Sequence, residues 1–505
     1  MLSSMRSNLS DRTRPAQESG ARSGPARRRF PQAPSSEALM RRYRFPLSLS
    51  LPLAGFAAAV FFAAGVSLAK PVALEAQAFE DARGDMSIAL AGDAIISRKM
   101  SPYREPEFLA LRDIIQSATT AFVNLEILFH DYEDDVIPAA ASGGTYMRAE
   151  PEIAHELAWF GFDMVSLANN HTMDFGAGGA RRTVAAAEAA GLAVAGFGEN
   201  LARARAPAYV DTPGGRVALI SIASTFADAM RAGHQRPDVR GRPGLSPIRY
   251  ERHVTVTADQ MAALRDALSV AGRNGGSGST LNFGGMTFVV GDKPDVKTVP
   301  HAGDLAEIIE VVKEAQRQAE WVIVTSHSHE GADRREVPAD FLVDVARATV
   351  DAGADMFVGH GPHILRAVEM YQGKPIFYSL ANFAMQNETI EFQPQDNYEA
   401  QGLGYEDLPG RFQDVRIERA GASSFPAGKG FWESVVPVVE YEGGKLKEVQ
   451  LHPITMGWQL PRPVRGRPMM ADDAHGQEIL EGLAKLSAEF GTTMTIENGV
   501  GVIRP

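Results

Sequence analysis

From residue 86 onward, short apolar runs alternate with amphipathic stretches, and this alternation limits the fold more tightly than any other feature of the chain. Strands are predicted at 87–91, 121–125, 164–168, 192–196, 217–222, 321–325, 356–358 and 375–380. Helices are predicted at 107–118, 178–190, 258–271, 305–319 and 341–352, where apolar and small residues recur on one face at helical spacing. Alternation on this scale specifies an α/β domain whose helices cover the faces of its sheets. The stretch "GRNGGSGSTLNFGG" (272–285) reads as a flexible insertion or lid. Residues 386–430 have no clear periodicity and read as an irregular excursion. Beyond them, apolar alternation on both sides of Gly443 and Gly444 is a hairpin signature. A helix ending at Gly491 then closes the chain, so 431–505 is expected to complete the domain.

Several predicted strands end in polar residues. "SIALAGDAI" ends near Asp93, "TAFVNLEI" carries Asn124 and Glu126, and "DMVSLANNH" ends in Asn169, Asn170 and His171, with Asp174 following. "WVIVTSHSHEG" ends in His327, His329 and Glu330, "MFVGHGPHI" in His360 and His363, and "IFYSLANF" in Asn382. Ligands of α/β sheets bind outside the carboxyl ends of the strands, where such residues can converge. Each ending also has an ordinary reading. Gly-Asp and Asn-Asn form turns, Glu126 can pair with an arginine, and the 360–363 segment can be a rigid turn. His327 and His329 alternate across a strand end, so at most one of them is expected to face a given site. The combination favours a shared site, because four of the twelve histidines sit in two endings and His171 is a fifth. Cysteine is absent, which excludes thiolate ligands and a cysteine nucleophile. Carboxylates, an amide and imidazoles suit Mn²⁺, Fe or Zn²⁺, with Mg²⁺ or Ca²⁺ less favoured by the imidazoles.

The first 69 residues differ in kind. Residues 1–44 are basic, rich in Ser and Pro and without apolar periodicity, and read as disordered. Arg41, Arg42 and Arg44 then precede an apolar run and small residues at Ser67 and Ala69, the order of a secretory signal. The apolar stretch at 45–66 is also long enough to serve as an uncleaved membrane anchor. Either reading places the remainder outside the cytoplasm, as a periplasmic or other extracytoplasmic protein. Residues 1–69 hold 10 of the 50 Lys and Arg and 3 of the 62 Asp and Glu, so the rest carries 40 against 59, a net charge of −19. Such a surface repels nucleic acid, and an anionic substrate must meet a local cation.

Gly92-Asp93, Asn124-Leu125-Glu126, Asn169-Asn170-His171 with Asp174 and Gly176, His327, and "VGHGPHILRAVEMYQGKPIFYSLANF" (358–383) together resemble the CapA family. That family, also called PgsA-like, is named for poly-γ-glutamate capsule synthesis, and the motifs stand in its order over residues 86–385. The resemblance implies a fold similar to calcineurin-like metallophosphoesterases, a layered β-sandwich flanked by helices. It implies Asp93 as the first carboxylate ligand, Glu126 as a bridging one, Asn170 as an amide-oxygen ligand, and His327, His360 and His363 as imidazole ligands. His171 matches the outer residue facing the leaving group, an acid or a transition-state hydrogen-bond donor, and is grouped with Asp174 as catalytic. Asn124, Asn169, His329, Glu330 and Asn382 are expected to line the site. This chain departs from the pattern in four places. Ala94 and Ile95 follow Asp93 where the phosphoesterases have Asp-x-His, and the last two histidines are three apart rather than two. Gly361 stands where the family usually has His, and His327-Ser328-His329 replaces His-Trp-Gly. One ion and two ions are both compatible with what is left.

The leading expectation is metal-assisted hydrolysis of a phosphoester, or of an amide in an anionic polymer, at the cell envelope. The alternative is an accessory protein that binds such a polymer through a cation, beside membrane-bound synthesis machinery and without turnover. A sugar- or peptide-binding module with a decayed site is the third reading.

Overall fold

The computed structural model describes residues 83–273, 276–421 and 423–505, so the leader with its signal or anchor at 1–69 lies outside the described residues. Along the strand Met86–Ile95, Ile88 and Leu90 point to one side and Ala89 and Ala91 to the other, and all four are fully buried. A strand buried on both faces must lie inside a layered structure. Ile88 and Leu90 pack with Leu219, Trp321, Ile323 and Val358 of a second sheet. Ala89 and Ala91 instead meet Phe108, Leu111 and Ile115 of the helix Pro106–Ser117 and Leu157 of the helix Ala154–Phe160. The second sheet repeats the arrangement: Ile220, Val324 and Phe357 face Ile308 and Val312 of the helix Ala302–Gln316 and Phe341 and Val345 of the helix Asp340–Asp351. The product is a four-layer α/β sandwich, two sheets face to face with helices outside each.

In the first sheet Met86–Ile95, Thr120–Leu125, Met164–Ser166 and Ala193–Ala195 run parallel, and Glu433–Glu442 joins the free side of Met86–Ile95 antiparallel. In the second, Gly215–Ala223, Trp321–His327, Met356–His360 and Lys374–Leu380 run parallel between antiparallel edges. Trp321 sits in the layer between the sheets, fully buried, its Nε1 donating to Gly214 O at 2.9 Å and its ring 4.4 Å from that of Tyr441. Trp321→Ala is therefore expected to lower unfolding free energy by about 3–5 kcal/mol, read by denaturant titration. A loss below about 1 kcal/mol would mean that the sheets close over the gap.

Three sequence expectations are corrected. The glycine-rich stretch is regular rather than flexible from Thr280 onward. Thr280–Phe283 and Met286–Val290 form a hairpin over Gly284 and Gly285, both at positive φ, within a small four-stranded sheet backed by the helix Ala258–Val270. Residues 386–430 are not wholly irregular, because Gln395–Ala400 and Pro409–Ala420 are helical. The last long helix, Asp473–Ala488, does not close the chain; past Gly491, Thr495–Glu497 and Val500–Ile503 form a further hairpin on the edge of the first sheet. The 443–444 hairpin stands, with both glycines at positive φ as its tight turn requires. Among the described residues no helix is long and apolar enough to cross a membrane.

Candidate metal centre

Parallel pairing brings the carboxyl ends of both sheets to one edge of the sandwich. In the first sheet Asp93 stands beside Asn124 on one neighbouring strand and Asn382 on the other. In the second, His327 pairs with His360 and Ala223. The pairing with Thr120–Leu125 skips Gly92 between Ala91 and Asp93, and that with Asn382–Met385 shifts between Asp93 and Ala94, so a bulge at Gly92 and a second irregularity flank Asp93, devices that re-aim a side chain. Glycine is required there, since a Cβ on Gly92 would lie 2.2 Å from Ala381 O.

Two triads can each hold a cation: Asp93, Glu126 and His327, and Glu126, His329 and His363, with ligand atoms within 4.8 Å of one another. Glu126 belongs to both. It is fully buried, and neither carboxylate oxygen has a hydrogen-bond partner. Its Oε1 lies 3.7 Å from His327 Nε2, 3.7 Å from His363 Nε2 and 3.8 Å from His171 Nε2. Burial, followed by the charges of Asp93 and Asp174, pushes the Glu126 carboxyl well above the usual range. A buried carboxylate so placed needs a cation or a proton. Burial would raise Asp93 too, but contacts with His327 and His363 outweigh it and hold the group well below the carboxylate range. Burial also lowers His327, His329 and His360, the last to about 4, so all three are neutral and able to ligate at pH 7. Unpartnered buried atoms and neutral imidazoles fit a divalent cation.

The polar residues around the triads hold them in place. Asn124 Nδ2 donates to Asp93 Oδ1 at 2.7 Å and lies 3.2 Å from His327 Nδ1, while its Oδ1 accepts from Ser166 Oγ at 2.6 Å. Asn382 Oδ1 lies 2.8 Å from His363 Nδ1, leaving His363 Nε2 toward Glu126. Asn169 acts as a brace, donating to Leu125 O at 2.7 Å and accepting from His171 N at 3.0 Å. Asn170 differs. Its Nδ2 donates to Gly143 O at 3.2 Å, but its Oδ1 is buried without a partner, as an oxygen waiting for a cation would be. His171 Nδ1 lies 2.7 Å from Asp174 Oδ2, and Asp174 also accepts from Gly143 N and Met147 N at 3.0 and 2.9 Å. An acceptor so supplied keeps the His171 proton on Nδ1 and Nε2 directed at the centre.

Three assignments shift. His329 joins His327 at the centre, their Nε2 atoms 3.1 Å apart. The strand Trp321–His327 stops at His327, so alternation no longer separates the two. His360 falls outside both triads. Its Nε2 is engaged by Thr325 Oγ1 at 2.7 Å, though its unpartnered Nδ1 lies 4.0 Å from Asp93 Oδ1. Glu330 turns away and accepts from Ser224 Oγ at 2.6 Å and Thr225 Oγ1 at 3.0 Å. Phe425, whose ring stacks on His363 at 4.6 Å, carried no sequence signal, because it lies in the segment read as irregular.

Two departures from the family pattern meet in space. Gly361 has φ +110°, and a Cβ there would lie 2.9 Å from both His329 Cδ2 and Ser328 N. The His329 ring thus occupies ground that a side chain at 361 would claim. Gly361 N also donates to Asp93 Oδ2 at 3.1 Å. Gly361→Ala is expected to disturb both triads and weaken metal affinity about 10–100-fold by calorimetric titration. Unchanged affinity would separate this turn from the centre.

The layered sandwich and its strand-end cluster define an α/β protein able to hold a divalent cation. The chain belongs to the bacterial capsule synthesis family PGA_cap, which matches residues 82–387. A Sinorhizobium fredii protein, y4sH, is 35% identical over 432 residues, 83% of this chain and 93% of its own length. The capsule biosynthesis protein CapA of Bacillus anthracis is 29% identical over 243 residues, 48% of this chain and 45% of that protein. The chain therefore aligns with about half of that CapA. A solved Haemophilus influenzae NAD nucleotidase superposes with a TM-score of 0.27 at 11% identity over 79% of this chain and 56% of that one, too distant to bear on fold or function.

Proposed function

We propose that this capsule-synthesis family member is a metal-dependent hydrolase of the cell envelope, cleaving a phosphoester or an amide bond associated with an anionic polymer. One observation carries the reading: Glu126, shared by two ligand triads, is buried with both oxygens unpartnered. Asp93, Glu126, His327, His329, His363 and the Asn170 oxygen are the ligands we assign, with His360 in reserve behind Asp93. A cation bound there supplies positive charge that polarises the scissile oxygen and acidifies water. His171, its Nδ1–H held by Asp174, turns Nε2 to the centre, and with both ring nitrogens protonated it would pass the Nε2 proton to the leaving group and return to the neutral imidazole. Asn124 and Asn382 keep Asp93 and His363 aimed. The basic and apolar leader supports export, by cleavage near Ala69 or by anchoring at 45–66, and the net charge of −12 disfavours nucleic acid as a partner.

Metal analysis of the purified chain, followed by a screen of phosphoesters and glutamyl amides with added Mn²⁺, tests the reading. Metal with turnover supports it, and absence of metal overturns it. The depth of the centre, with Asp93 and Glu126 both 0% exposed, favours a second reading as a non-catalytic accessory to polymer synthesis. Bound metal without turnover across the screen would decide for that one.

A further inference from the structure

A second polar cavity adjoins the metal centre. Its volume is about 270 Å³, and it is lined by Ser224, Thr225, Phe226, Arg249, Tyr250 and Glu330. Ser224 and Thr225 directly follow the strand Gly215–Ala223, whose last residue pairs with His327. Thr225 Oγ1 accepts from His329 N at 2.8 Å. The cavity therefore adjoins the centre through Glu330, which lines it and directly follows His329, and through Thr225, which holds the His329 backbone.

We propose that this cavity receives an α-amino-acid end group of the substrate, its ammonium on Glu330 and its carboxylate on Arg249. The proposal deepens the hydrolase reading and takes its meaning from it. Glu330 accepts hydroxyl hydrogen bonds from Ser224 and Thr225, which orient the carboxylate without exhausting its roughly four lone-pair sites. The Arg249 guanidinium is clamped by Asp304, with Nε donating to Oδ2 and Nη2 to Oδ1, each at 2.8 Å. A guanidinium carries five N–H donors, so the clamp fixes the fork and leaves donors over. Tyr250, stacked on Phe341 with ring centroids 4.4 Å apart, and Phe226 supply aromatic walls suited to an ammonium group. Opposite charges in one small cavity select a zwitterion, because a bare anion meets Glu330 and a bare cation meets Arg249. The size agrees, lying below the roughly 300–1,000 Å³ of pockets for drug-sized ligands and leaving room for a single residue. The amino-acid end would then anchor a substrate whose scissile bond extends past His329 toward the triads.

The probe is L-alanine, titrated calorimetrically into the full chain, once metal-loaded and once after EDTA treatment. Alanine is expected to bind both forms with Kd on the order of 1 mM. N-acetylalanine, which lacks the ammonium, and alaninamide, which lacks the carboxylate, should each bind at least about tenfold more weakly. Glu330→Gln should weaken alanine about tenfold and leave N-acetylalanine unchanged, and Arg249→Gln should do the same with alaninamide as control. No heat with alanine, equal binding of N-acetylalanine, or an unaltered Glu330→Gln would each overturn the subsite. The three-ligand comparison on the native chain decides even where a variant fails to fold. Alanine selectivity that survives EDTA, in a protein that hydrolyses nothing, would sink the hydrolase reading and keep the subsite.

Discussion

Glu126→Gln is expected to empty the centre. Both triads pass through this one carboxylate, so elemental analysis of the variant should find bound metal reduced to a trace. Any hydrolysis should fall at least about 10²-fold with it. The stability response separates this from ordinary misfolding. In metal-free protein the substitution removes an unpartnered buried carboxylate flanked by Asp93 and Asp174, so the variant should melt at or above the temperature of the metal-free native chain. With metal added, the native chain should gain about 2.7 kcal/mol at one hundred times Kd and the variant nothing. Metal bound as fully by Glu126→Gln as by the native chain would show that the ion sits elsewhere.

The second large effect divides Asn170 from His171. Asn170→Ala removes a buried, unpartnered oxygen and should lower metal occupancy. His171→Ala should keep the metal, because His171 stands outside both triads and is held by Asp174 at 2.7 Å. It should nevertheless lose turnover on the order of 10²–10⁴-fold, the range for a missing acid catalyst. If the protein is a non-catalytic accessory, Asn170→Ala still loses metal and His171→Ala has no catalytic consequence. If both residues are only turn formers, each substitution costs a little stability and leaves the metal untouched. Equal metal loss in the two variants would mean that His171 is itself a ligand and that the division of roles drawn here is wrong.

Much of this architecture was legible before any coordinates. The alternation of Ile88 and Leu90 with Ala89 and Ala91, and the helical stripes of Phe108, Leu111 and Ile115 or Phe341 and Val345, are local patterns that local burial rewards. The strand-end motifs likewise pointed to Asp93, Glu126, Asn170, His171, His327 and His363, because buried polar residues need partners and strand ends are where a ligand can supply one. The role of His329 was hidden, since strict strand alternation turns it away from His327 and only the end of pairing at His327 allows both rings inward. Glu330, expected to line the site, faces the adjoining cavity and not the triads. Its hydroxyl partners come from residues about 105 positions away, on the neighbouring strand's exit.

By itself, then, the sequence determined the elements, their inward faces and the residues gathered at the strand ends, because these follow from periodicity within a few residues. Tertiary structure alone decided that the ends of two different sheets meet, that Glu126 lies between two triads, and that His329 fills the space beside Gly361. Those outcomes depend on packing one sheet against the other through Trp321 and Leu90, on the bulge at Gly92 and on contacts across hundreds of residues. No local preference encodes such distances, since the free energy that selects them is released only when both faces of both sheets are covered together.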